Sequence, residues 1–460
     1  MKNILFIGIL IFTLFSCSNN DSDTDSDNPG TSDEDVLYSI PDSINFNEFT
    51  DKLILNIKND GKAQISYSIT SSKSYITLPV NSGNITAGNQ GEIIVNADRQ
   101  SLPNEIYFSK LYVTINNKKD SIVVRVNNFK EKKTFLSTDV IDAEYSKVTD
   151  QLVYVSSNPS AVNIFTSSTG VTENIPLSYM PTCISISQDG KTAAVGHDGH
   201  ITYVNLNSKS IINSFDVSCY AIDIVLGNNK WAYVFPERGQ WTYIRCINMN
   251  ISDSNEYLQT GNTIYAGVRG RLQPSSNYIY GANNGLSPSD IEKYGTQNGI
   301  AEYSYDSPYH GDYPMDGNLW FSEDGTRIFT KGKTVLKTSE IKSQDMLYNG
   351  RITNDSNGQI EWLDHSAVKN NLYIILSTGD YLTKRKAPFI YVHNASNLSF
   401  KNKIELEKYI VINSNSTGKY YDADPFFVFS NSKGNNILVI TKATGAGLDK
   451  EWAIEKISIE

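Results

Sequence analysis

The strongest constraint on the fold is a series of short strand-like segments joined by tight polar turns. Residues 182–215 show it best: four apolar runs are separated by turns at 188–190, 197–199 and 207–209. Glycine adopts the positive φ that tight turns need, so the Asp-Gly links at 189–190 and 198–199 favour β-hairpins. One four-stranded antiparallel sheet in roughly every 40 to 50 residues, repeated along a chain, is typical of a β-propeller.

The same pattern recurs through the rest of the chain. The second strand of each repeat aligns at residues 152–155, 192–195, 231–234, 278–281, 327–330, 372–375 and 437–440. These segments predict seven blades. Only one more strand, 452–459, follows the last segment, so the last blade lacks a fourth strand. Residues 132–137 can supply it, and this pairing would close the ring without an open edge.

Residues 1–17 have the form of an export signal. Lys2 precedes an apolar run over 4–15, which is too short to span a bilayer as a stable helix. The run ends in Leu-Phe-Ser-Cys at 14–17, which resembles the lipobox of bacterial lipoproteins. The resemblance implies that Cys17 is lipidated and that the lipid is the only contact with the membrane. The alternative is an ordinary secretory signal with an unmodified cysteine.

Residues 18–36 hold seven acidic residues and no basic one. Such a segment buries too little apolar area to offset its chain entropy, so we predict an acidic disordered tether. An acidic run directly after the lipidated cysteine also resembles the export signal of Bacteroidetes lipoproteins. That resemblance implies an outer-membrane location facing the cell exterior.

Charge and cysteine content exclude other classes. The net charge is −10, most of it in the tether, and the absence of a basic stripe argues against a nucleic-acid partner. Besides Cys17 the chain has Cys183, Cys219 and Cys246, an odd number with no metal-binding spacing. Buried thiols are the favoured interpretation, and a bridge between Cys183 and Cys219 is left open.

Residues 37–128 contain seven strand-like segments separated by Asn-, Gly- and Lys-rich turns, which is typical of an immunoglobulin-like β-sandwich. The segments between Tyr75 and Tyr107 resemble the BACON-type Ig-like modules of Bacteroidetes surface proteins, although Tyr75 stands where that family usually has Trp. The resemblance implies an association with carbohydrate-active proteins. Its position between tether and propeller favours a role as spacer.

Residues 129–460 form the second predicted domain. The fold class predicted is therefore all-β, with an Ig-like β-sandwich followed by a seven-bladed β-propeller. The Ser-x-Asp-Gly pattern at 187–190 and 322–325 resembles the YVTN and quinoprotein amine dehydrogenase-like propellers. Those include dehydrogenases, lyases and binding proteins, so the resemblance predicts a fold rather than a function.

The predicted ligand-binding surface centres on residues 281–320, interpreted as an insertion in the fourth blade. Long loops on a rigid scaffold often carry binding sites. Aromatic rings can stack on the C–H faces of sugars while short polar groups hydrogen-bond the hydroxyls. The candidate residues are Trp231, Arg238, Trp241, Tyr294, Tyr303, Tyr309, His310 and Trp320. Packing of these aromatics beneath the loop is an equally strong alternative.

Signals for catalysis and metal binding are weaker. His197 and His200 flank an Asp-Gly turn, and two imidazoles with a carboxylate could hold a metal, but a plain exposed hairpin is favoured. We therefore predict no metal and no cofactor, with a calcium ion left open. Carboxylates beside aromatics at the channel mouth could act on a glycosidic bond. These alternative catalytic candidates are Asp364, His365, Asp422 and Asp424. Turn capping by the aspartates is favoured over catalysis.

These observations favour a protein without enzymatic activity. We expect a cell-surface lipoprotein whose propeller binds an extracellular glycan, or else an envelope protein. One alternative is a glycan-active lyase or hydrolase with carboxylates at the channel mouth. Another is a structural docking platform for a second envelope protein.

Overall fold

The structure is a computed structural model that describes residues 37–46, 50–100, 102–103, 106–128, 133–283, 285–353, 358–378, 385–412 and 418–459. It divides into two compact units, Met1–Phe129 and Lys130–Glu460. In these described ranges no helix is both long enough and apolar enough to cross a membrane.

The first unit consists of short strands with alternating burial. They are β1 (Tyr38–Ser39), β2 (Ser43–Phe46), β3 (Lys52–Asn59), β4 (Ile65–Ser71), β5 (Ile76–Thr77), β6 (Ser82–Ile85), β7 (Gln90–Ala97), β8 (Ile106–Ile115) and β9 (Lys118–Asn127). One sheet has the order β1-β3-β7-β5 and the other β2-β9-β8-β4-β6. The pairing of β2 with β9 is parallel. Leu55 of the first sheet and Val124 of the second belong to one buried cluster, so the two sheets share a core.

The second unit begins with β10 and a four-stranded antiparallel sheet. These strands are β10 (Lys133–Phe135), β11 (Asp142–Ser146), β12 (Gln151–Ser157), β13 (Ser160–Thr166) and β14 (Val171–Pro176). Next come β15 (Cys183–Ile186), β16 (Thr192–Gly196), β17 (Asp198–Asn205), β18 (Ser210–Leu226), β19 (Trp231–Pro236), β20 (Trp241–Thr242), β21 (Arg245–Asn248), β22 (Glu256–Leu258) and β23 (Ile264–Tyr265).

Strand β18 is shared between two groups of strands. Its first part pairs with β17 through Tyr220, and its last part pairs with β19 from Ala221 onward. The result is a single seven-stranded sheet in the order β15-β16-β17-β18-β19-β21-β22. Strands β20 and β23 form a separate pair beside it.

The chain continues with further antiparallel sheets. Two four-stranded sheets come first: β24 (Arg269–Leu272), β25 (Tyr278–Ala282), β26 (Ile291–Gly295) and β27 (Glu302–Asp306) form one, and β28 (Leu319–Phe321), β29 (Arg327–Thr330), β30 (Thr334–Lys337) and β31 (Leu347–Arg351) form the other. A five-stranded sheet follows, with β32 (Ile360–Ser366), β33 (Asn371–Thr378), β34 (Arg385–Lys386), β35 (Phe389–Asn394) and β36 (Phe400–Glu405). The last strands are the pair β37 (Tyr409–Ile412) and β38 (Gly418–Tyr421), and then β39 (Asp424–Ser430), β40 (Asn436–Lys442) and β41 (Trp452–Ser458). A short 3-10 helix, η1 (Lys342–Gln344), precedes β31.

The last sheet takes its fourth strand from the start of the unit. It has the order β10-β41-β40-β39, and Thr134 of β10 lies opposite Ile454 of β41. This is the pairing predicted from the missing fourth strand. Successive sheets with the last one closed by an early strand are the arrangement of a β-propeller.

Neighbouring sheets pack face to face. One buried cluster combines Val153 and Ile164 of β12 and β13 with Ala193 and Val204 of β16 and β17. Both faces of such a sheet are buried. The sequences of its strands are therefore nearly continuous apolar runs and do not alternate between apolar and polar residues.

The interpretation of residues 281–320 as an insertion was wrong. Within it, β26 and β27 are the third and fourth strands of the sheet that starts with β24 and β25. The extra length lies in the connections at 283–290 and 307–318. The segment Tyr-Gly at the end of β26 and the polar alternation of β27 obscured the two strands.

Candidate functional site

The first strands of the sheets in the second unit converge on a shared channel. A cavity of about 360 Å³ lies at the C-terminal ends of β11, β15, β24, β28, β32 and β39, and we call it the C-terminal mouth. Its volume falls within the range of roughly 300 to 1,000 Å³ that is usual for small-ligand sites. Its walls divide into an aromatic side and a charged side.

The aromatic wall is formed by Tyr145, Trp320, Trp362 and Phe429. The rings of Trp320 and Trp362 meet edge to face with centroids 6.0 Å apart, and Phe429 lies 5.7 Å from Trp362 and 6.0 Å from Tyr145. Trp320 is 6% exposed. In the part of the chain that the structure describes, neither indole N–H has a hydrogen-bond partner. Buried donors are usually paired, so these two indoles are exceptions within the wall of the cavity.

The charged wall comes from Glu144 of β11 and Arg271 of β24. The Arg271 guanidinium donates to Asp223 Oδ2 at 2.8 Å. Although burial lowers the pKa of Arg271, the carboxylates of Asp223, Glu144 and Asp142 raise it above its ordinary value. Burial raises the pKa of Glu144 to about 8. Burial and the nearby Asp223 carboxylate raise the pKa of Asp142 to about 6.

These carboxylates also hold adjacent first strands together. Asp142 Oδ2 accepts from the Ile184 N–H at 3.0 Å, and Glu144 Oε2 accepts from the Ile186 N–H at 2.7 Å. Asp223 Oδ2 accepts from the Gly270 N–H at 3.1 Å in the same manner. Among the described residues the first strands of neighbouring sheets are not paired with each other, so acidic side chains satisfy these backbone donors.

Lys147 links several sheets across the C-terminal mouth. Its ammonium donates to Glu323, to Asp364 Oδ2 at 3.5 Å, to the His365 carbonyl and to Ser430 Oγ at 3.1 Å. Burial lowers the pKa of Lys147, but the two carboxylates outweigh burial and raise it. Lys147 is therefore a charged group already satisfied by the protein, in contrast to the two indoles.

A second cavity of about 300 Å³ lies at the N-terminal ends of the first strands, and we call it the N-terminal mouth. Arg271 and Trp362 line both cavities. Its remaining charged lining residues are Asp142, Asp223, Arg269, Lys331, Glu361 and Lys386. The two mouths are therefore neighbouring parts of one channel.

Three of the eight predicted ligand-binding residues pack together in a core. Tyr294 is fully buried, and Trp231 and Tyr303 are partly buried against the same cluster. The hydroxyl of Tyr294 donates to Glu292. These side chains fill the space between adjacent sheets, which is the packing alternative considered for them.

The other predicted residues lie apart. Trp241 is 56% exposed and contacts Tyr265 edge to face at 5.5 Å, and Arg238 lies over the Tyr220 ring at 5.5 Å. His310 is exposed. The remaining two are Tyr309, whose hydroxyl accepts from the Tyr348 N–H at 2.9 Å, and Trp320, which lines the channel. The eight residues do not form one surface.

The hairpin expected at 197–200 is present, with the His197 N–H donating to the His200 carbonyl at 3.0 Å, but the expected exposure of His197 was wrong. His197 is fully buried, and its ring nitrogens contact the Met180 carbonyl at 3.1 Å and Thr202 Oγ1 at 2.9 Å. Burial lowers its pKa to about 4. His200 pairs instead with Asp216 at 2.9 Å. Residues 37–459, excluding the undescribed gaps, contain no group of three or more His, Cys, Asp or Glu suited to a metal ion.

The alternative catalytic residues separate into two places. Asp364 and His365 line the C-terminal mouth, where Ser430 donates to Asp364 through both its N–H at 2.9 Å and its hydroxyl. Asp422 is exposed and pairs with Lys408 at 3.2 Å. Asp424 begins β39 and does not line either mouth. The four residues are not one constellation.

Several channel residues were missed in the sequence. Asp142 and Glu144 lie in β11, Asp223 in the last part of β18, and Arg269 and Arg271 in β24. Charges two residues apart, as in 142 and 144 or 269 and 271, put both side chains on one face of a strand. That spacing was the available signal. The three cysteines Cys183, Cys219 and Cys246 are free thiols.

Comparisons with known proteins identify a fold. No protein-family model matches the chain, and no curated protein matches it in sequence. Among solved structures it is similar to the β-propeller domain of Cps50 (Swd1) from Myceliophteria thermophila, with a TM-score of 0.53 and 10% identity over 72% of this chain and 100% of that one. The similarity to Kuenenia stuttgartiensis hydrazine synthase has a TM-score of 0.41 and 12% identity, and it covers 72% of this chain and 99% of that one. The similarity to a chain of the mitotic checkpoint complex has a TM-score of 0.48 and 9% identity, and it covers 79% of this chain and 97% of that one.

At such identities a structural likeness shows the fold alone. The first of these similarities agrees with the sheet order described above. The second unit therefore has a β-propeller fold.

Proposed function

We propose that this protein is a non-catalytic binding protein whose propeller holds a carbohydrate in its central channel. The observation that carries the proposal is the C-terminal mouth, where the side chains of Trp320 and Trp362 line the same cavity as Glu144 and Arg271. Aromatic faces and buried hydrogen-bonding groups together suit a sugar, which is apolar on its ring faces and polar around its edge. The cavity has room for the end of a chain rather than for its whole length.

The same proposal includes the number of blades in the second unit and the fold type of the first. We propose that the sheets of the second unit are seven blades, with β18 contributing to two of them. We further propose that the first unit is an Ig-like, BACON-type module acting as a spacer. The two-sheet core of that unit and the seven aligned strand segments support these assignments.

The proposed location is the exterior of the outer membrane of a Bacteroidetes bacterium. It rests on the lipobox resemblance at residues 14–17 and on the acidic segment that follows. The signal, Cys17 and the tether over 18–36 lie outside the described residues. A surface lipoprotein would present the propeller to extracellular glycans. An envelope protein as the partner is the outcome that we expect if no saccharide binds.

The channel site predicts that the tryptophan indoles contribute to affinity. Replacing Trp320 or Trp362 by Phe keeps an aromatic ring and removes one hydrogen-bond donor. We expect each variant to weaken binding of the best saccharide from a glycan screen by about tenfold, since the smaller ring offers the sugar less aromatic surface and aromatic contacts are worth about 0.5 to 1.5 kcal/mol. Isothermal titration of the soluble chain from residue 36 onward is the measurement.

Trp241→Phe is the matched control, because Trp241 is exposed and lies outside both mouths. Its affinity should stay within about twofold of the wild type, as expected for a contact that the ligand does not make. A large loss for Trp241→Phe with none for the channel variants would move the site to the surface around residue 241.

One observation favours a second candidate function, a glycan-active enzyme. Glu144 has its pKa raised to about 8 by burial, so it is protonated at neutral pH and could act as a general acid. Incubation of polysaccharide with the protein, followed by size-exclusion analysis, separates the two functions. Shortened chains, lost in Glu144→Gln, would establish the enzyme; unchanged chains with measurable affinity support the binding protein.

A further inference from the structure

We propose that the N-terminal mouth binds an anionic group, the carboxylate or sulfate of an acidic saccharide. This inference rests on the proposed function, since it names the class of saccharide that the channel takes. Three observations carry it: an excess of cations over acids, neighbouring aromatic rings, and an amide donor without a partner among the described residues, all lining the same cavity.

The first observation concerns charge. Of the arginines in this cavity, Arg271 is already paired with Asp223 at 2.8 Å. Arg269 donates to the Ile222 carbonyl but has no ion pair, and the Lys331 ammonium has neither a hydrogen bond nor an ion pair, within the residues that the structure describes. A carboxylate in a partly enclosed cavity gains more from such cations than it would in open water.

Four cations, Arg269, Arg271, Lys331 and Lys386, line the cavity against three acids, Asp142, Asp223 and Glu361, so positive charge is in excess. Asp223 is engaged by Arg271 and by the Gly270 N–H. Asp142 accepts from the Ile184 N–H and from its neighbouring backbone N–H at 143. Two of the three carboxylates, those of Asp142 and Asp223, are therefore directed to the strands that they bridge. The cations at 269 and 331 are left facing the cavity.

The second observation concerns apolar surface. Trp362, Phe426 and Phe427 line the same mouth, and the Trp362 and Phe427 rings meet edge to face at 4.7 Å. Aromatic rings beside cations accommodate a molecule with an apolar face and a charged substituent, which describes a sugar acid better than a free inorganic anion.

The third observation is the Asn318 side chain. Its carbonyl oxygen accepts from the Leu319 N–H at 2.9 Å, while its amide nitrogen makes no hydrogen bond to any residue that the structure describes. Asn318 lies just before β28 at the rim of the cavity. It can donate to a ligand hydroxyl or carboxylate without giving up a contact within the protein.

The competing explanation is that Arg269 and Lys331 are simply solvated. Long cationic side chains often keep their heads in water, and such residues contribute little to binding. This explanation predicts that acidic and neutral saccharides bind equally well. It also predicts that removing either charge leaves affinity unchanged.

The experiment compares galacturonate, glucuronate and sulfated oligosaccharides with uncharged counterparts, including the same uronates after reduction of their carboxyl groups to alcohols. Isothermal titration of the full soluble chain should give at least about tenfold tighter binding for an acidic saccharide, the factor expected of one charge-assisted hydrogen bond. Raising the salt concentration should weaken that preference, because salt screens the cations.

Lys331→Gln tests the cation directly. Lys331 has no protein partner to lose, so the variant should fold normally, and we expect the preference for acidic saccharides to fall about tenfold while neutral binding is unchanged. Arg269→Gln should act in the same direction, and Arg269→Lys should restore most of the preference. Lys191→Gln is the matched control, since Lys191 is an exposed lysine that lines neither mouth.

Neutral saccharides binding as tightly as acidic ones would overturn the inference and leave the proposed function standing. Acidic binding unaffected by both Lys331→Gln and Arg269→Gln would also overturn it. Failure of every saccharide to bind would instead contradict the proposed function itself.

Discussion

Glu144 shows how one buried side chain can serve two purposes. Its carboxylate accepts from the backbone of the neighbouring first strand, and burial keeps it protonated near neutral pH. The same side chain lines the C-terminal mouth. Groups with strongly shifted pKa values occur both at functional sites and in structural networks, so a titration alone would not separate the two roles.

Glu144 should make stability depend on pH. The pKa of Glu144 rises from 4.5 to about 8 on folding. Between these values the folded chain holds a proton that the unfolded chain has lost, so the free energy of unfolding falls as pH rises. The slope is at most about 1.4 kcal/mol per pH unit. Arg271, Asp142 and Asp223 are the charged groups that act on it.

Urea unfolding at pH 5 and pH 8.5 is the measurement. Glu144→Gln lacks this proton, so it should lose less stability over that interval than the wild type does. Glu340→Gln replaces an exposed glutamate and should follow the wild type. If the free energy of unfolding falls by the same amount between pH 5 and pH 8.5 in Glu144→Gln and in the wild type, the prediction is contradicted.

Among the strands, we expect the pairing of β10 with β41, which closes the ring of sheets, to contribute most to the stability of the propeller. Ile454 is 1% exposed and pairs with Thr134 on one side and Ile440 on the other. Ile454→Pro removes a ladder donor from a strand with neighbours on both sides and should destabilise the propeller by about 3 kcal/mol or more. Thermal unfolding monitored by hydrogen exchange will report it.

Ser458→Pro is the matched control. Ser458 lies at the end of β41, where it pairs with Asn436 of β40 but beyond the residues that pair with β10. Ser458→Pro should lower the free energy of unfolding clearly less than Ile454→Pro does. The first unit has its own core, so its protection should not change in either variant. Equal effects of the two prolines would show that the pairing with β10 contributes little.

Much of this element-level arrangement could be predicted from the sequence, because hairpins are local. The segment 192–195 follows a Gly-containing turn and lies within β16, and the missing fourth strand led directly to β10. The site could not be predicted in the same way. The walls of the channel come from strands far apart in sequence, and which of their side chains meet depends on closure of the ring.

Tyr294 illustrates a second limit. It is one of the aromatic residues near long connections that suggested a sugar surface, yet both faces of β26 are largely buried. When neighbouring sheets cover both faces, alternation no longer separates a solvent side from a core side. Aromatic content in such a strand therefore predicts packing as readily as binding.

For the whole molecule, the lipid anchor is the proposal with the clearest readout. Cys17→Ala should move the protein from the membrane fraction to the soluble fraction and abolish labelling with radioactive palmitate, because one or more acyl chains supply the membrane affinity. Cys219→Ala is the control and should remain in the membrane fraction. Wild-type protein found unlabelled in the soluble fraction would contradict the anchor.

Strand β18 has a consequence for how such a chain can change over evolution. Repeats are duplicated or lost most easily when the break falls in a loop between them, as in the connection between β14 and β15. The two groups of strands joined by β18 share one unbroken strand from Ser210 to Leu226. A break at their boundary would cut a paired strand and expose two edges at once. Relatives of this chain should therefore gain or lose these two repeats only together.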